Sequence, residues 1–113
     1  MINWARVAEL RDDFGEDGFA EVIEVFLDEV QTGQERLAAA SSAEAMRAEF
    51  HFLKGAALNM GLDEVAALCE RGEALSEQGH LAQSERESTL TLLQQDSAEF
   101  SRDWRDKLGM PLV

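Results

Sequence analysis

The placement of proline constrains the fold of this chain more than any other feature, because its 113 residues include only one, Pro111. Proline removes a backbone hydrogen-bond donor and breaks helix interiors, so the residues before Pro111 are free to form long helices. With 45% hydrophobic and 29% charged residues, the chain has the composition of an ordinary globular protein. We therefore expect a single helical domain over residues 1–113.

Apolar residues recur at intervals of three and four, which is the spacing of amphipathic helices. A short first helix is predicted over residues 4–14, with Asn3 as its N-cap and an inward stripe that ends at Phe14. A long second helix follows to about residue 40, and Asp17 is its candidate cap. Neither segment shows the alternating pattern of a strand.

The rest of the chain predicts three more helices. Ser41 and Glu44 have the spacing of a capping box before a third helix over about 42–60. Gly61 ends that helix, Asp63 is placed to cap a fourth, and a fifth covers about 81–107 before Gly109 and Pro111. Because short connections make neighbouring helices antiparallel, we expect an all-α fold, an antiparallel four-helix bundle with a short extra N-terminal helix.

The charge balance narrows the possible partners. A formal net charge of −13 repels phosphate backbones and anionic lipids, so neither nucleic acid nor a membrane is an expected partner. Residues 1–16 resemble neither a signal peptide nor a membrane anchor, and the single cysteine, Cys69, fits a buried thiol in a reducing cytoplasm. An acidic band on the second helix is interpreted as a solvated face that could also orient a partner; it comprises Glu21, Glu24, Asp28 and Glu29.

The residues that could take part in a chemical reaction lie on the third helix. Its apolar stripe faces the bundle, which places His51 on the opposite, outer side. Arg47 lies one turn before His51 and Lys54 nearly one turn after it, so both cations could offset the charge of a phosphoryl group on the imidazole. A lone outward histidine is most often only a solvated residue, and His80, in a predicted turn beside Gly79, is interpreted as a surface or capping residue.

Small and apolar residues around His51 suggest a docking surface. Gly55 costs about 1 kcal/mol relative to alanine inside a helix, and the close approach of a partner would explain its presence. Ala48 is also small, while Leu58 and Leu62 offer apolar contacts. These four residues and Arg47 form the predicted partner-binding surface.

The run His51, Leu53, Lys54 and Gly55, followed by Gly61, resembles the signature of histidine-containing phosphotransfer domains. The resemblance extends over nearly the whole chain, since those domains are helical bundles with the active histidine on a central hairpin. Two positions depart from the common pattern. Phe50 stands where a small residue often precedes the histidine, and Ala56 stands where a serine often follows the glycine.

The resemblance implies that His51 accepts a phosphoryl group from a receiver-domain aspartate or a hybrid sensor histidine kinase and passes it to a response-regulator receiver. It further implies that Lys54 stabilises that group and Gly55 makes room for the receiver. No cofactor or metal is expected on this chain, because the magnesium ion belongs to the receiver. A phosphotransfer protein of this kind is not an autonomous enzyme, and we expect a cytoplasmic monomer.

Two alternatives remain open at this stage. The chain could be a docking or anti-regulatory module that binds receivers without being phosphorylated, or a purely structural bundle. A di-iron carboxylate bundle is disfavoured, because position 48 is alanine where a Glu-x-x-His motif ending at His51 needs glutamate.

Overall fold

A computed structural model describes residues 1–110 and forms five α-helices with no strand in that range. The helices are α1 (Trp4–Phe14), α2 (Glu16–Ala39), α3 (Ala43–Asn59), α4 (Asp63–Glu77) and α5 (Gln83–Lys107). The all-α prediction is confirmed. Pro111 lies outside the described residues, so its part in ending α5 stays a prediction.

The four longer helices form a bundle, and the whole molecule is elongated, measuring 46 × 22 × 21 Å. Helix α3 packs against α2 and α4, and α5 packs against the same two helices from the other side of the core. Helix α1 lies against α2 and α3. Within residues 1–110, no helix is long and apolar enough to cross a membrane.

Polar side chains cap two of the helices. The side chain of Asn3 accepts a hydrogen bond from the Arg6 backbone N–H at 3.2 Å, as the sequence predicts. At α3 the cap is Ser42, whose hydroxyl accepts from the Ala45 N–H at 3.1 Å. The prediction that Ser41 caps α3 is wrong by one residue, a shift within the usual uncertainty of helix ends.

The two aspartate caps predicted from the sequence are also wrong. Helix α2 begins directly after Gly15, so Asp17 lies inside the first turn. Asp63 is the first residue of α4, and its carboxylate accepts a hydrogen bond from the Asn3 side chain at 3.1 Å. Both carboxylates still lie at the positive end of a helix, where negative charge is stabilising.

The apolar stripe of α3 is buried as predicted, and it sets the orientation of the whole helix. It comprises Met46, Phe50, Leu53, Ala57 and Met60. These side chains pack with buried residues of the other helices in one core. The stripe of α1 is only partly buried, because Val7 and Leu10 face the core while Phe14 is 55% exposed.

The turn between α3 and α4 explains why Leu62 is not at the surface. Gly61 adopts φ +73°, the Gly61 N–H donates to the Leu58 carbonyl, and the Leu62 N–H donates to the Ala57 carbonyl at 2.8 Å. This pair of bonds is the Schellman motif, in which the residue after the glycine packs back on the helix. Leu62 is fully buried, so its predicted place in the docking surface is wrong.

Candidate functional site

His51 lies in the middle of α3 on the face that turns away from the core. Its side chain is 68% exposed, in agreement with the prediction of an outward imidazole. Because the buried residues Phe50 and Leu53 flank it along the chain, the rotation of α3 is held by core packing. The imidazole is thus accessible to a second protein, while its backbone belongs to a rigid helix.

Glu73 of α4 contacts both functional side chains of α3. One carboxylate oxygen, Oε2, lies 2.9 Å from His51 Nδ1, and the other, Oε1, lies 2.8 Å from the Lys54 ammonium nitrogen. The Glu73 side chain is only 12% exposed, whereas the imidazole beside it is mostly in solvent. A single carboxylate on α4 therefore contacts both the histidine and the lysine of α3.

Electrostatics keep this carboxylate ionised. The Lys54 ammonium is the largest cause that lowers the pKa of Glu73 below its usual 4.5, against the opposing effect of burial, and the contact with His51 lowers this pKa further. In return, Glu73 raises the pKa of Lys54 above 10.5. Near neutral pH both groups of this pair are charged.

An ionised carboxylate can only accept hydrogen bonds, so its contact determines the tautomer of His51. In the neutral imidazole, Nδ1 therefore bears the hydrogen and donates a hydrogen bond to Glu73 Oε2. The other ring nitrogen, Nε2, then has a free lone pair. Because the imidazole side chain is largely exposed, this is the atom that an electrophile bound to another protein would meet.

Sequence reasoning missed Glu73. In the antiparallel hairpin, His51 lies eleven residues before Leu62 and Glu73 lies eleven residues after it, so the two positions come level across the turn. Counting outward from Leu62 could have placed a carboxylate opposite the histidine. The hairpin was predicted from the sequence, but the residue of α4 that lies opposite His51 was not identified.

Phe50, the large residue before the histidine, is accommodated by a glycine on the facing helix. A Cβ atom added at Gly72 of α4 would lie 2.5 to 2.6 Å from three atoms of the Phe50 ring. Phe50 therefore packs directly on the bare backbone of α4, and Gly72 and Glu73 are neighbours, as are Phe50 and His51. The departure from the common pattern at Phe50 is accommodated by the absence of a side chain at Gly72.

The predicted docking residues are at the surface, except for Leu62. Arg47, Ala48, Gly55 and Leu58 are all exposed, and Leu58 retains 50% of its accessible area. Nothing lies within 4 Å of the position that a Gly55 Cβ would occupy, so no contact within the protein requires a glycine there. Ala56, the other departure from the common pattern, is buried.

The fold and the site together define a helical bundle that presents an accessible histidine on a rigid central hairpin. A histidine in this position is available to carry a covalent group. A model of the Hpt domain family matches residues 21–103, which include α3, α4 and most of α2 and α5. The chain belongs to the Hpt domain family, whose members transfer phosphoryl groups through histidine in two-component systems. No curated protein and no solved structure gives a significant match.

Hpt domains interact with receiver domains and histidine kinases and are phosphotransfer modules, distinct from classical enzymes. Among residues 1–110 there is no group of three or more histidine, cysteine or acidic side chains that could hold a metal ion.

Proposed function

We propose that the chain is a phosphorelay intermediate that accepts a phosphoryl group on Nε2 of His51 and passes it to a response-regulator receiver domain. The donor is a receiver aspartate or a hybrid sensor histidine kinase. The observation that supports this most directly is the contact of His51 Nδ1 with Glu73 at 2.9 Å, which leaves Nε2 as the exposed nucleophile.

In the forward step, the Nε2 lone pair attacks the phosphorus of an aspartyl phosphate on the donor receiver. The N–P bond forms as the bond between phosphorus and the acyl oxygen breaks, and the electron pair of that bond returns to the aspartate carboxylate. The imidazole becomes cationic, with its Nδ1 proton still shared with Glu73, so the carboxylate stabilises the product. Transfer to the next receiver is the same step in reverse.

Lys54 and Arg47 supply positive charge close to the phosphoryl group. Lys54 is one turn from His51 and already points toward its side of the hairpin, since it contacts the same carboxylate. Charge-assisted contacts of this kind are worth about 1.5 to 3 kcal/mol, enough to change a rate by about ten- to a hundredfold. The magnesium ion that assists the chemistry belongs to the receiver, and this chain contributes no cofactor.

Docking of the receiver uses the surface around the imidazole formed by Ala48, Gly55 and Leu58. The two small residues leave the histidine uncovered, and the leucine supplies apolar area that becomes buried on binding. We further propose that the protein acts as a cytoplasmic monomer, because a net charge of −13 opposes self-association and Cys69 is a free thiol.

The test is transfer of labelled phosphate from phosphorylated receiver domains to the purified protein. We expect an acid-labile, base-stable label that is absent in His51→Gln and retained in His80→Gln. His80 is the matched control because it is the only other histidine of the sequence and is also exposed. Binding of the receiver by His51→Gln would show that the variant is folded.

If receivers bind the wild type but leave no label on it, and His51→Gln preserves both binding and the downstream effect, the phosphotransfer proposal is wrong. The protein would then be the docking or anti-regulatory module that the sequence leaves as the alternative.

A further inference from the structure

The strongest concentration of charge in the protein lies away from His51. Between residues 12 and 35 the sequence contains nine aspartate and glutamate residues and no lysine or arginine, out of 23 acidic residues in the whole chain. This acidic segment covers the end of α1 and most of α2. It begins before residue 21, where the match to the Hpt family model starts.

An apolar groove between α1 and α2 lies within the acidic segment. The groove has a volume of about 330 Å³ and is lined by Phe14, Gly18, Glu21, Val22, Val25 and Phe26. Phe14 and Val25 are each 55% exposed, and both line this same groove, so their apolar area is contiguous. No atom lies within 4 Å of a Cβ added at Gly18, so the backbone of α2 is open to an incoming side chain.

The groove is separate from the histidine. Gly33 of α2 packs against Leu53, which lies two residues from His51 along α3. From that level, Val25 is eight residues away along α2 and Gly18 is fifteen, or about 12 and 22 Å at the rise of an α-helix. The proposed role of His51 therefore leaves this groove unexplained.

Charge decides what can occupy the groove. Two copies that met through their grooves would bring two sets of carboxylates together, and with no cation in residues 12–35 to pair with them, such a dimer is disfavoured. An apolar surface with an acidic border instead complements a segment with both apolar and basic side chains. Since two adjacent helices form a natural groove for a third, that segment fits best as a helix.

We propose that the groove between α1 and α2 binds a basic amphipathic helix of a partner protein. Its apolar side chains enter between Phe14, Gly18 and Val25, and its lysines and arginines contact the carboxylates of the acidic segment. Binding does not require phosphorylation. A partner held in this way would have a high effective concentration near the histidine face of the same molecule.

The probe is a labelled helical peptide of about 18 residues in which leucines form one face and lysines the other. Its affinity for the full chain is measured by fluorescence anisotropy, and its site is mapped by amide chemical-shift changes. The matched peptide has glutamine in place of every leucine and the same charge. The matched protein variants are Val25→Gln and Leu81→Gln, because Leu81 is 51% exposed and lies in the connection between α4 and α5, at the opposite end of the bundle.

We expect shift changes that centre on residues 14–26, at least tenfold weaker binding by Val25→Gln, and a change of less than twofold in Leu81→Gln and in His51→Gln. The leucine-free peptide should bind at least tenfold more weakly, and salt should weaken binding further.

Four results would overturn the proposal: equal binding of the leucine-free peptide, equal binding by Val25→Gln, self-association of the wild type that Val25→Gln removes, or shift changes at residues 14–26 when residues 111–113 are deleted. The third result would identify a second copy as the occupant, and the fourth would identify the end of this chain.

Discussion

Replacement of Gly72 by alanine tests whether the contact between α3 and α4 depends on the missing side chain. In Gly72→Ala the new Cβ would lie 2.5 to 2.6 Å from Cζ, Cε1 and Cε2 of Phe50, whereas carbon atoms in ordinary contact are about 3.5 to 4.0 Å apart. Phe50 is fully buried, so the ring has no solvent to move into. The ring or α4 must therefore shift by about 1 Å.

The size of the effect follows from two opposing contributions. Overpacking of a dense core costs about 1 to 3 kcal/mol, while alanine is favoured over glycine inside a helix by about 1 kcal/mol. Gly72→Ala should thus lower the free energy of unfolding by up to about 2 kcal/mol. Gly55→Ala is the matched control, because it makes the same change inside α3 with nothing within 4 Å, and it should raise the free energy of unfolding by up to about 1 kcal/mol.

Urea unfolding followed by helical circular dichroism and tryptophan fluorescence measures both variants. Trp4 stacks on Phe100 and Trp104 contacts Phe19, so the fluorescence reports on the bundle core. Phe50→Leu removes the ring, and a double-mutant cycle with Gly72→Ala should show a favourable coupling of about 1 kcal/mol or more. If Gly72→Ala stabilised the protein as much as Gly55→Ala, or if the cycle showed no coupling, the steric argument would be refuted.

Three further predictions concern titratable groups. Because Lys54 lowers the pKa of Glu73 below 4.5, the ionised carboxylate stabilises the fold above that pH, and the stabilisation is lost as the pH falls through the lowered pKa. The stability difference between wild type and Glu73→Gln in urea unfolding should therefore shrink from pH 7 to pH 3, and a pH-independent difference would contradict the ion pair. Burial raises the pKa of Asp96 above its usual 3.8, and its Oδ2 atom has no hydrogen-bond partner, so the ionised form weakens the fold at pH 7. Asp96→Asn should stabilise the protein at pH 7, with a gain that fades toward pH 3; a loss of stability at pH 7 would disprove this. Burial raises the pKa of the Cys69 thiol to about 12, so a thiol reagent at pH 8 should label this residue only after unfolding in urea, and rapid labelling of the native protein would show that the thiol is accessible.

Local sequence was enough to predict the helices and the side of α3 that His51 occupies. Only a helix that turns one face to the core can bury all the apolar residues of α3 that recur at intervals of three and four. These residues are Met46, Phe50, Leu53, Ala57 and Met60. Once that stripe is buried, the outward position of His51 follows from the 100° rotation per residue. The same reasoning placed Lys54 and Gly55 beside it.

Predictions that depended on one residue at a helix end were less successful. Ser41, Asp17 and Asp63 all have the side chain of an N-cap, yet the cap at α3 is the neighbouring serine, and neither aspartate is a cap. Several adjacent residues can serve as a cap at similar free energy, so the choice depends on where packing ends the helix. The assignment of Leu62 to the surface was wrong for a similar reason. Its burial depends on how the turn at Gly61 folds back onto α3, which the local sequence does not specify.

The sequence by itself determined the all-α fold, the hairpin of α3 and α4, and an exposed histidine followed by a lysine and a glycine, because these depend on periodicity and turn chemistry within short stretches of chain. Only the tertiary structure brought Glu73 to 2.9 Å from His51 and Gly72 against the ring of Phe50, and left Phe14 and Val25 uncovered. Those contacts join residues on different helices, and their distances depend on how closely and at what level the helices pack. Periodicity shows which face of a helix is buried, whereas the packed core decides which side chain of the neighbouring helix meets it.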